Sequence, residues 1–352
     1  MKSSGRDDHE RPTVSVVIPV FEGGDAFRRC LAAIARSDEA PREILVVVDG
    51  GGDSDRRLAE HAGVRVLQTP TRGGPGRARN LGARAACGDV LLFLDADVTV
   101  HAGTVGQAVD ALAWDPDVAA VFGSYDDTPG EHNFLSECRN LFHHYVHQTG
   151  REAASTFWAG CGAIRRSVFL CAGGFDERYR RASIEDVELG FRLTKAGYRV
   201  RLCKSLQVTH WKRWGFAAMV RADVLDRAIP WTWLILRQRG ATNDLNLRQS
   251  HRLSVLMVFG LLGALLAVGL WDWPAAVAAA LALGLLVLNA DVYRFFWRKR
   301  GWWFALRAVA WHWTYYLYSG LGFAAGIATA FAQRALISTE KPQLAGPPSE
   351  SV

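Results

Sequence analysis

Short apolar runs separated by helical patterns fill the part of the chain before residue 216. Three of these runs end at proline or at a carboxylate: 14–18 before Pro19, 44–48 before Asp49 and 90–94 before Asp95. Such runs are typical of strands that are buried on both faces in a parallel sheet between layers of helices. The stretch from Val14 to Asp49 has the length of one βαβ unit. We therefore predict an α/β domain whose central sheet is mostly parallel.

The last hundred residues have a different pattern, with long apolar stretches and eleven of the thirteen tryptophans after residue 210. Residues 253–270 contain no charge, and as a helix they would be about 27 Å long, close to the roughly 30 Å of a bilayer core. Two further apolar stretches cover 275–293 and 305–331. We predict about three transmembrane helices, although the aromatic third stretch would also suit an interfacial or re-entrant helix.

The basic residues indicate an orientation and a partner. Between residues 199 and 252 there are eleven Lys or Arg and three Asp, and a second basic cluster surrounds Lys299. Lys and Arg favour the cytoplasmic side and anionic headgroups, so both clusters are expected inside and the turn at Trp271 outside. Nucleic-acid binding, the competing interpretation, lacks a recognisable module. The polar N-terminus shows no signal peptide, so we predict a multi-pass inner (plasma) membrane protein with its first domain in the cytoplasm.

These patterns divide the chain into five parts. They are a disordered N-terminus 1–11, an α/β domain 12–215, an interfacial basic linker 216–252, a transmembrane region 253–332 and a disordered tail 333–352. The six cysteines form no C-x-x-C pair and are expected to be thiols of a reducing compartment. His143, His144 and His147 could hold a metal, but no third-ligand motif accompanies them, so an acceptor-facing or plain surface is the alternative.

Asp95 and Asp97 stand one residue apart where an apolar run ends. In open α/β sheets, ligands lie at the carboxyl ends of strands. Two carboxylates at such an edge suit Mg²⁺ or Mn²⁺ carrying a substrate diphosphate. An ordinary strand-to-turn junction is the alternative, because Asp is common in turns.

Two later segments carry further candidate chemistry. The Gly-rich loop 71–76 opens a helix, so its N–H groups, with Arg77 and Arg79, could meet an anion. Three carboxylates within 185–188, among them Asp186, begin an amphipathic helix. They either complement the helix dipole or crowd one another, which would raise one pKa towards the range of a general base.

These segments occur in the order found in the family 2 glycosyltransferases, and residues 13–214 resemble the membrane-associated members of that family. The matching segments are Ile18-Pro19, Val47-Val48-Asp49, Gly73 to Asn80, Asp95-Ala96-Asp97, Gly173 to Asp176 and Glu185-Asp186. The resemblance implies a GT-A fold, a UDP- or GDP-linked sugar donor, and Mg²⁺ or Mn²⁺. It implies that Asp97 binds the metal and that Asp186 deprotonates the acceptor hydroxyl for an inverting attack on the anomeric carbon.

The resemblance also assigns binding residues. The donor would contact Pro19, Glu22, Asp49, Arg77, Arg79, Asn80 and Asp95, and the acceptor Trp158, Gly160 and Glu185. Residues 210–214, His-Trp-Lys-Arg-Trp, resemble the Q-x-x-R-W motif of processive polysaccharide synthases. By that likeness His210 could be a second metal ligand, Arg213 would face the diphosphate and Trp214 the acceptor. A membrane-surface cluster of basic and aromatic residues is the alternative.

Two departures from the family pattern affect nucleotide contacts. The usual Asp-Asp-Gly-Ser is Asp49-Gly50-Gly51-Gly52 here, and Glu22 stands where many members have Asn.

Three functions compete as interpretations of the whole chain. The first is transfer of a single sugar to a lipid or lipid-linked acceptor in cell-envelope synthesis, the second is a processive polysaccharide synthase, and the third is an inactive membrane binding protein. Too few spans for a polymer channel and the intact carboxylates favour the first.

Overall fold

The computed structural model describes residues 11–238, 248–271 and 273–339, with side chains up to residue 332. Most of the two ends predicted to be disordered, and part of the predicted linker, lie outside these residues. The strands are β1 (Val14–Val20), β2 (Glu43–Asp49), β3 (Arg65–Thr69), β4 (Val90–Leu94), β5 (Val98–Val100), β6 (Val118–Tyr125), β7 (Ala153–Ala154), β8 (Cys161–Arg165) and β9 (Arg199–His210).

Helices follow most of the strands. In the first domain they are α1 (Gly24–Ile34), α2 (Asp53–His61), α3 (Pro75–Ala85), α4 (Thr104–Ala113), α5 (Phe134–Gln148), α6 (Arg166–Cys171) and α7 (Glu185–Lys195). The later helices are α8 (Phe216–Arg221), a π-helical turn (Ala222–Ala228), α9 (Ile229–Gln238), α10 (Gln249–Ala267), α11 (Pro274–Leu288), α12 (Ala290–Arg300) and α13 (Trp302–Thr339).

One mixed sheet organises the first domain, in the order β3-β2-β1-β4-β8-β6-β9-β5, with β7 beside β9. β1 is parallel to both β2 and β4, and β2 is parallel to β3. β8 is antiparallel to β4 and β6, and β5 is antiparallel to β9. The α/β prediction is confirmed. The segment after Asp97 begins with the three-residue strand β5, which pairing with β9 stabilises.

Apolar side chains fill both faces of the sheet, as expected for strands between layers of helices. Val16, Ile18 and Val46 lie in one core, and Val17, Leu45 and Phe93 lie in the other. The alternation along each strand separates the two sets. The second core continues through Phe296, Phe304 and Trp311 of the last helices. The C-terminal helices are therefore packed onto the α/β domain.

The apolar C-terminal stretches form fewer membrane-compatible helices than the sequence predicts. Within the described residues, α10 alone is long and apolar enough to cross a membrane, and only 22% of its apolar window is buried. α11 and α12 meet the same criteria only as one unit, and they are bent by 62° at the break between them. α13 covers the predicted span 305–331 and continues past the predicted end at residue 332. Length and composition thus support one span, or two at most, rather than three.

Residues 216–236, the first part of the predicted interfacial linker, are helical throughout and pack against protein. The helix continues through Pro230, which lies in the first turn of α9. Gly322 and Gly326 of α13 lie directly against Ala228 and Thr232. Small residues allow this close approach of helices.

Candidate active site

The polar residues predicted at strand ends meet at one edge of the sheet. β1 lies between β2 and β4 with all three parallel, so Asp49 and Asp95 emerge on either side of the segment that follows Pro19. That segment contains Glu22, which has a φ of 53° and is the single non-glycine residue of positive φ among the described residues. Strained backbone of this kind concentrates at ligand-binding loops.

Asp49 fixes the Gly-rich loop. Its carboxylate accepts hydrogen bonds from the backbone N–H groups of Gly73 and Gly74, at 2.8 and 2.7 Å, and from the Thr69 hydroxyl at 2.9 Å. The side chain is 4% exposed. These bonds hold the loop at the N-terminus of α3. Arg77 then packs on Gly73, since a side chain at Gly73 would meet the Arg77 stem.

Arg79 is a buried cation between two elements. One guanidinium nitrogen lies 2.6 Å from Asp95 Oδ1 and another 3.0 Å from Glu185 Oε1. The second oxygen of Glu185 accepts the Ser183 N–H at 2.9 Å. Glu185 thus has both oxygens occupied by protein groups. The two ion pairs of Arg79 join α3, the end of β4 and the start of α7, which carries Asp186.

Asp186 is held by backbone and has an altered acidity. Its carboxylate accepts the N–H groups of Ala159 at 3.2 Å and Val187 at 2.8 Å. Burial and the neighbouring charge of Glu185 raise the pKa of Asp186 to about 7, against the opposing charge of Arg79. A carboxylate with a pKa near neutrality can take a proton at physiological pH.

Asp97 faces His210 across the β5–β9 pair. Asp97 Oδ2 is 3.6 Å from His210 Nε2 and 3.8 Å from Lys212 Nζ. Burial would raise the pKa of Asp97, but the charges of His210 and Lys212 outweigh it and hold the pKa well below its usual range. Asp97 is therefore a carboxylate across the physiological range.

The Asp97–His210 pair fits a divalent cation as two of its ligands. A spacing of 3.6 Å lets both atoms contact one ion at bond lengths of about 2.1 Å. No cluster of three or more His, Cys, Asp or Glu side chains with metal-binding geometry occurs in the described part of the chain. The remaining ligands would have to come from diphosphate oxygens and water, which is how Mg²⁺ is commonly held.

An aromatic group lies beside these carboxylates, and one of its members, Tyr125, was not singled out from the sequence. Tyr125, the last residue of β6, stacks on His210 with ring centroids 4.1 Å apart and an interplanar angle of 8°. Trp158 meets the Tyr125 ring edge-on at 4.9 Å, and His143 lies 4.4 Å away. The apolar run of β6 ends before Tyr125, so the pattern of apolar residues alone does not place this tyrosine at the edge of the sheet.

The three histidines of α5 form no metal-binding cluster in the described part of the chain. His144 and His147 each hydrogen-bond a carbonyl oxygen of β6, those of Tyr125 and Gly123. His143 packs 3.9 Å from the His147 ring and 4.8 Å from Trp158, within the aromatic group. Gly160 has no room for a side chain, because Trp158 occupies that space. The predicted acceptor residues Trp158 and Gly160 are therefore in mutual contact.

The remaining predicted residues are scattered around this edge. Asn80 is buried and ties α3 to the turn at Phe175 through two hydrogen bonds of 2.8 and 2.9 Å. Arg213 is 72% exposed and lies 3.5 Å from Glu131. Trp214 is buried with the Arg139 guanidinium 4.1 Å above its ring. Asn80 and Trp214 thus contact protein groups in this structure, and Arg213 points to solvent.

Known proteins share both the sequence and the fold of the chain. The model of the family "Glycosyl transferase family 2" matches residues 15–172. N-acetylglucosaminyl-diphospho-decaprenol L-rhamnosyltransferase of Mycobacterium tuberculosis is 30% identical over 233 residues, which cover 56% of this chain and 75% of that protein. The chain belongs to glycosyl transferase family 2.

A further relative and a solved structure are also similar to the chain. The pre-mycofactocin glycosyltransferase of Mycobacterium tuberculosis is 32% identical over 207 residues, 56% of this chain but only 42% of that protein. The mannosyltransferase PcManGT from Pyrobaculum calidifontis, solved with GDP-Man and Mn²⁺, superposes with a TM-score of 0.56 at 20% identity. That superposition covers 92% of this chain and 90% of the mannosyltransferase. The GT-A-like fold predicted from the sequence is confirmed, and the likeness includes the C-terminal helices.

Proposed function

We propose that this family 2 member is an inverting, metal-dependent glycosyltransferase that moves one sugar from a nucleotide-diphosphate sugar to a lipid or lipid-linked acceptor. The observation that carries the proposal is the arrangement of Asp186 and Asp97. The Asp186 carboxylate, whose pKa burial raises to about 7, is oriented by two backbone N–H groups. The ionised carboxylate of Asp97 lies beside His210, on which Tyr125 stacks. Single-displacement transfer needs one group for the acceptor proton and another for the leaving diphosphate.

Donor binding falls to the edge formed by β1, β2 and the Gly-rich loop. Asp49 fixes the loop, whose helix α3 directs its N-terminus to the same edge, and helix N-termini favour phosphate. Pro19 and Glu22 border the space for the nucleoside, and Arg77 adds a cation. Asp97 and His210 would hold Mg²⁺ or Mn²⁺, which when bound neutralises charge on the leaving diphosphate. UDP- or GDP-linked sugars are the donors we expect.

Asp186 acts on the acceptor. Its carboxylate takes the proton of the acceptor hydroxyl as the oxygen attacks the anomeric carbon from the side opposite the nucleoside diphosphate. The C–O bond to the acceptor forms while the bond to the diphosphate breaks, so the configuration inverts. Positioned bases of this kind contribute about 10²–10⁴-fold. We assign Glu185 and Arg79 to holding the start of α7, which carries this carboxylate, because both oxygens of Glu185 and two guanidinium nitrogens of Arg79 bind protein groups.

A lipid acceptor is supported by two kinds of observation. The rhamnosyltransferase relative is named for a diphospho-decaprenol substrate. The apolar helix α10 is mostly exposed on this chain, and Leu256 and Leu266 on it are 69% and 75% exposed. Exposed apolar surface of this extent marks contact with lipid or protein. We therefore place the protein at the cell membrane with the α/β domain in the cytoplasm.

The test is a panel of nucleotide sugars with Mn²⁺ and a polyprenyl-diphosphate-linked acceptor. One donor should give a single-sugar product, and Asp186→Asn should abolish transfer while leaving metal-dependent nucleotide binding within twofold. Long products would favour the processive synthase instead. If no donor is hydrolysed or transferred although a nucleotide binds, the protein is an inactive binding relative and the proposal is wrong.

A further inference from the structure

Tyr125 lies between the two halves of the candidate site. One face of its ring stacks on His210, whose Nε2 is 3.6 Å from Asp97. The Tyr125 ring also makes a T-shaped contact with Trp158. Trp158 precedes Ala159, the residue whose N–H holds Asp186. The ring therefore spans from the diphosphate side of the site to the side of the base.

The Tyr125 hydroxyl has a hydrogen-bonding capacity that the described residues leave unused. No hydrogen bond to this hydroxyl occurs among the residues that the structure describes, whereas the backbone carbonyl of the same residue accepts a bond from His144. The Tyr125 phenol can donate a hydrogen bond, whereas the ionised carboxylates of the site only accept.

We infer that the Tyr125 hydroxyl binds a hydroxyl group of the transferred sugar. This inference rests on the proposed function, since it places the sugar between the diphosphate held near Asp97 and the acceptor held near Asp186. The sugar has to occupy that interval for its anomeric carbon to be reached. A hydroxyl that both donates and accepts suits a sugar hydroxyl.

Two roles of Tyr125 can be separated by substitution. Tyr125→Phe keeps the stacking on His210 and removes only the hydroxyl. If the residue serves to position His210, the phenylalanine variant should behave as the wild type. Tyr198→Phe is the matched control, because Tyr198 is a partly buried tyrosine that precedes β9, at the opposite end of that strand from His210.

The experiment compares these variants in the full chain, using the donor that turns over in the nucleotide-sugar panel and its free nucleoside diphosphate. Tyr125→Phe should lower kcat/KM for the donor about tenfold, the usual effect of one lost hydrogen bond, while affinity for the nucleoside diphosphate with Mn²⁺ stays within twofold. Donors that lack one sugar hydroxyl provide a cycle. For one of these donors, kcat/KM of the wild type should fall by the same factor. With Tyr125→Phe, kcat/KM for that donor should equal kcat/KM for the complete donor.

Three results would overturn the inference. Wild-type kcat/KM in Tyr125→Phe would leave only the stacking role. A parallel loss of nucleoside diphosphate affinity would move the contact from the sugar to the diphosphate. Additive losses for every deoxy donor would show that no sugar hydroxyl is the partner. Absence of turnover by the wild type with any donor is different, because it refutes the proposed function itself and this inference with it.

Discussion

At the residue scale, the acidity of Asp186 depends on its neighbour in sequence. The charge of Glu185 raises the pKa of Asp186, and Arg79 lowers it. Glu185→Gln removes the raising charge while keeping the shape, so the pKa of Asp186 should fall below about 7. Since the base has to be deprotonated, the acidic limb of kcat/KM against pH should move to lower pH. A pH–rate profile of the free-enzyme parameter kcat/KM measures this.

Glu188→Gln is the control for this prediction. Glu188 lies on the same helix and pairs with Arg192 away from the site, so its loss should leave the position of the acidic limb unchanged. An unmoved limb in Glu185→Gln, or one that moves to higher pH, would contradict the assignment of Asp186 as the base.

Metal use should depend on Asp97 more than on its neighbours. Its pKa is held well below the usual range, so the metal requirement should not weaken on mild acidification through protonation of Asp97. Asp97→Asn should raise the Mn²⁺ concentration for half-maximal activity at least tenfold, and His210→Ala should raise it less. Lys212→Ala should not raise it, because an ammonium cannot be a metal ligand. Activity is titrated with Mn²⁺ after a chelator has removed bound metal, which gives the Mn²⁺ requirement of each variant. An equal increase of this requirement in all three variants would contradict the prediction.

The local pattern of apolar and polar residues predicted positions at a strand end or a helix start. Asp95 and Asp97 lie after β4, and Asp186 lies in the first turn of α7, whereas the roles proposed for them came from the resemblance to the family. Tyr125 was missed for a physical reason, since its place depends on pairing between β6 and the distant β9. Whether Arg79 faces solvent or Glu185 likewise depends on tertiary packing, which no local pattern encodes.

At the element scale, the Gly-rich loop depends on one glycine for its shape. Gly74 has a φ of 93°, and a side chain there would come within 2.7 Å of the backbone of Tyr179 and Arg180. Gly74→Ala should displace the N–H groups that Asp49 holds, so nucleotide affinity should fall more than tenfold. Gly63 also has positive φ, 70°, but open space around it.

Gly63→Ala is therefore the matched control for the loop. It should cost only backbone strain, about 1 kcal/mol of unfolding free energy, and leave nucleotide affinity unchanged. Calorimetric titration with nucleotide and denaturant unfolding of both variants separate the two effects. Equal nucleotide affinity in the two variants would contradict the role given to the loop.

A buried ion pair joins the α/β domain to the last helix. Arg139 of α5 makes two bonds to Asp223 of the π-helical turn, at 2.7 and 3.0 Å, and the Tyr318 hydroxyl of α13 donates to the same carboxylate at 2.9 Å. Asp223→Leu should destabilise the fold by about 3–5 kcal/mol, because it leaves Arg139 buried with an uncompensated charge. Adding Arg139→Met should restore part of that loss.

Unfolding of these variants in detergent tests the pair. Asp291→Ala breaks an exposed pair with Arg294 and should cost less than about 1 kcal/mol. If Asp223→Leu costs no more than Asp291→Ala, the buried network is not what fixes the junction. The segment 216–236 shows why sequence alone does not choose its partner. An apolar face suits lipid and protein equally, and here α13 with its glycines provides a protein surface.

At the scale of the whole molecule, the predicted apolar stretches are helical, but their length and composition support one span or two at most instead of about three. Hydropathy counts residues and cannot detect the bend between α11 and α12 or the packing of Phe296 and Trp311 into the core of the α/β domain. Aromatic residues that looked suited to lipid are partly used for packing within the protein. Membrane association therefore stays a prediction carried mainly by α10.

The orientation of α10 can be tested with single cysteines. Cys171 is exposed on the α/β domain, and Trp271 lies at the far end of α10, 59% exposed. In a background with the other cysteines replaced by serine, a membrane-impermeant maleimide should label Cys171 and Trp271→Cys from opposite sides of sealed vesicles. The physical reason is that α10 approaches bilayer thickness and carries few charges, while the basic residues flanking it favour the cytoplasmic side. Labelling of both positions from one side, even in protein that resists carbonate extraction, would make α10 an interfacial helix instead.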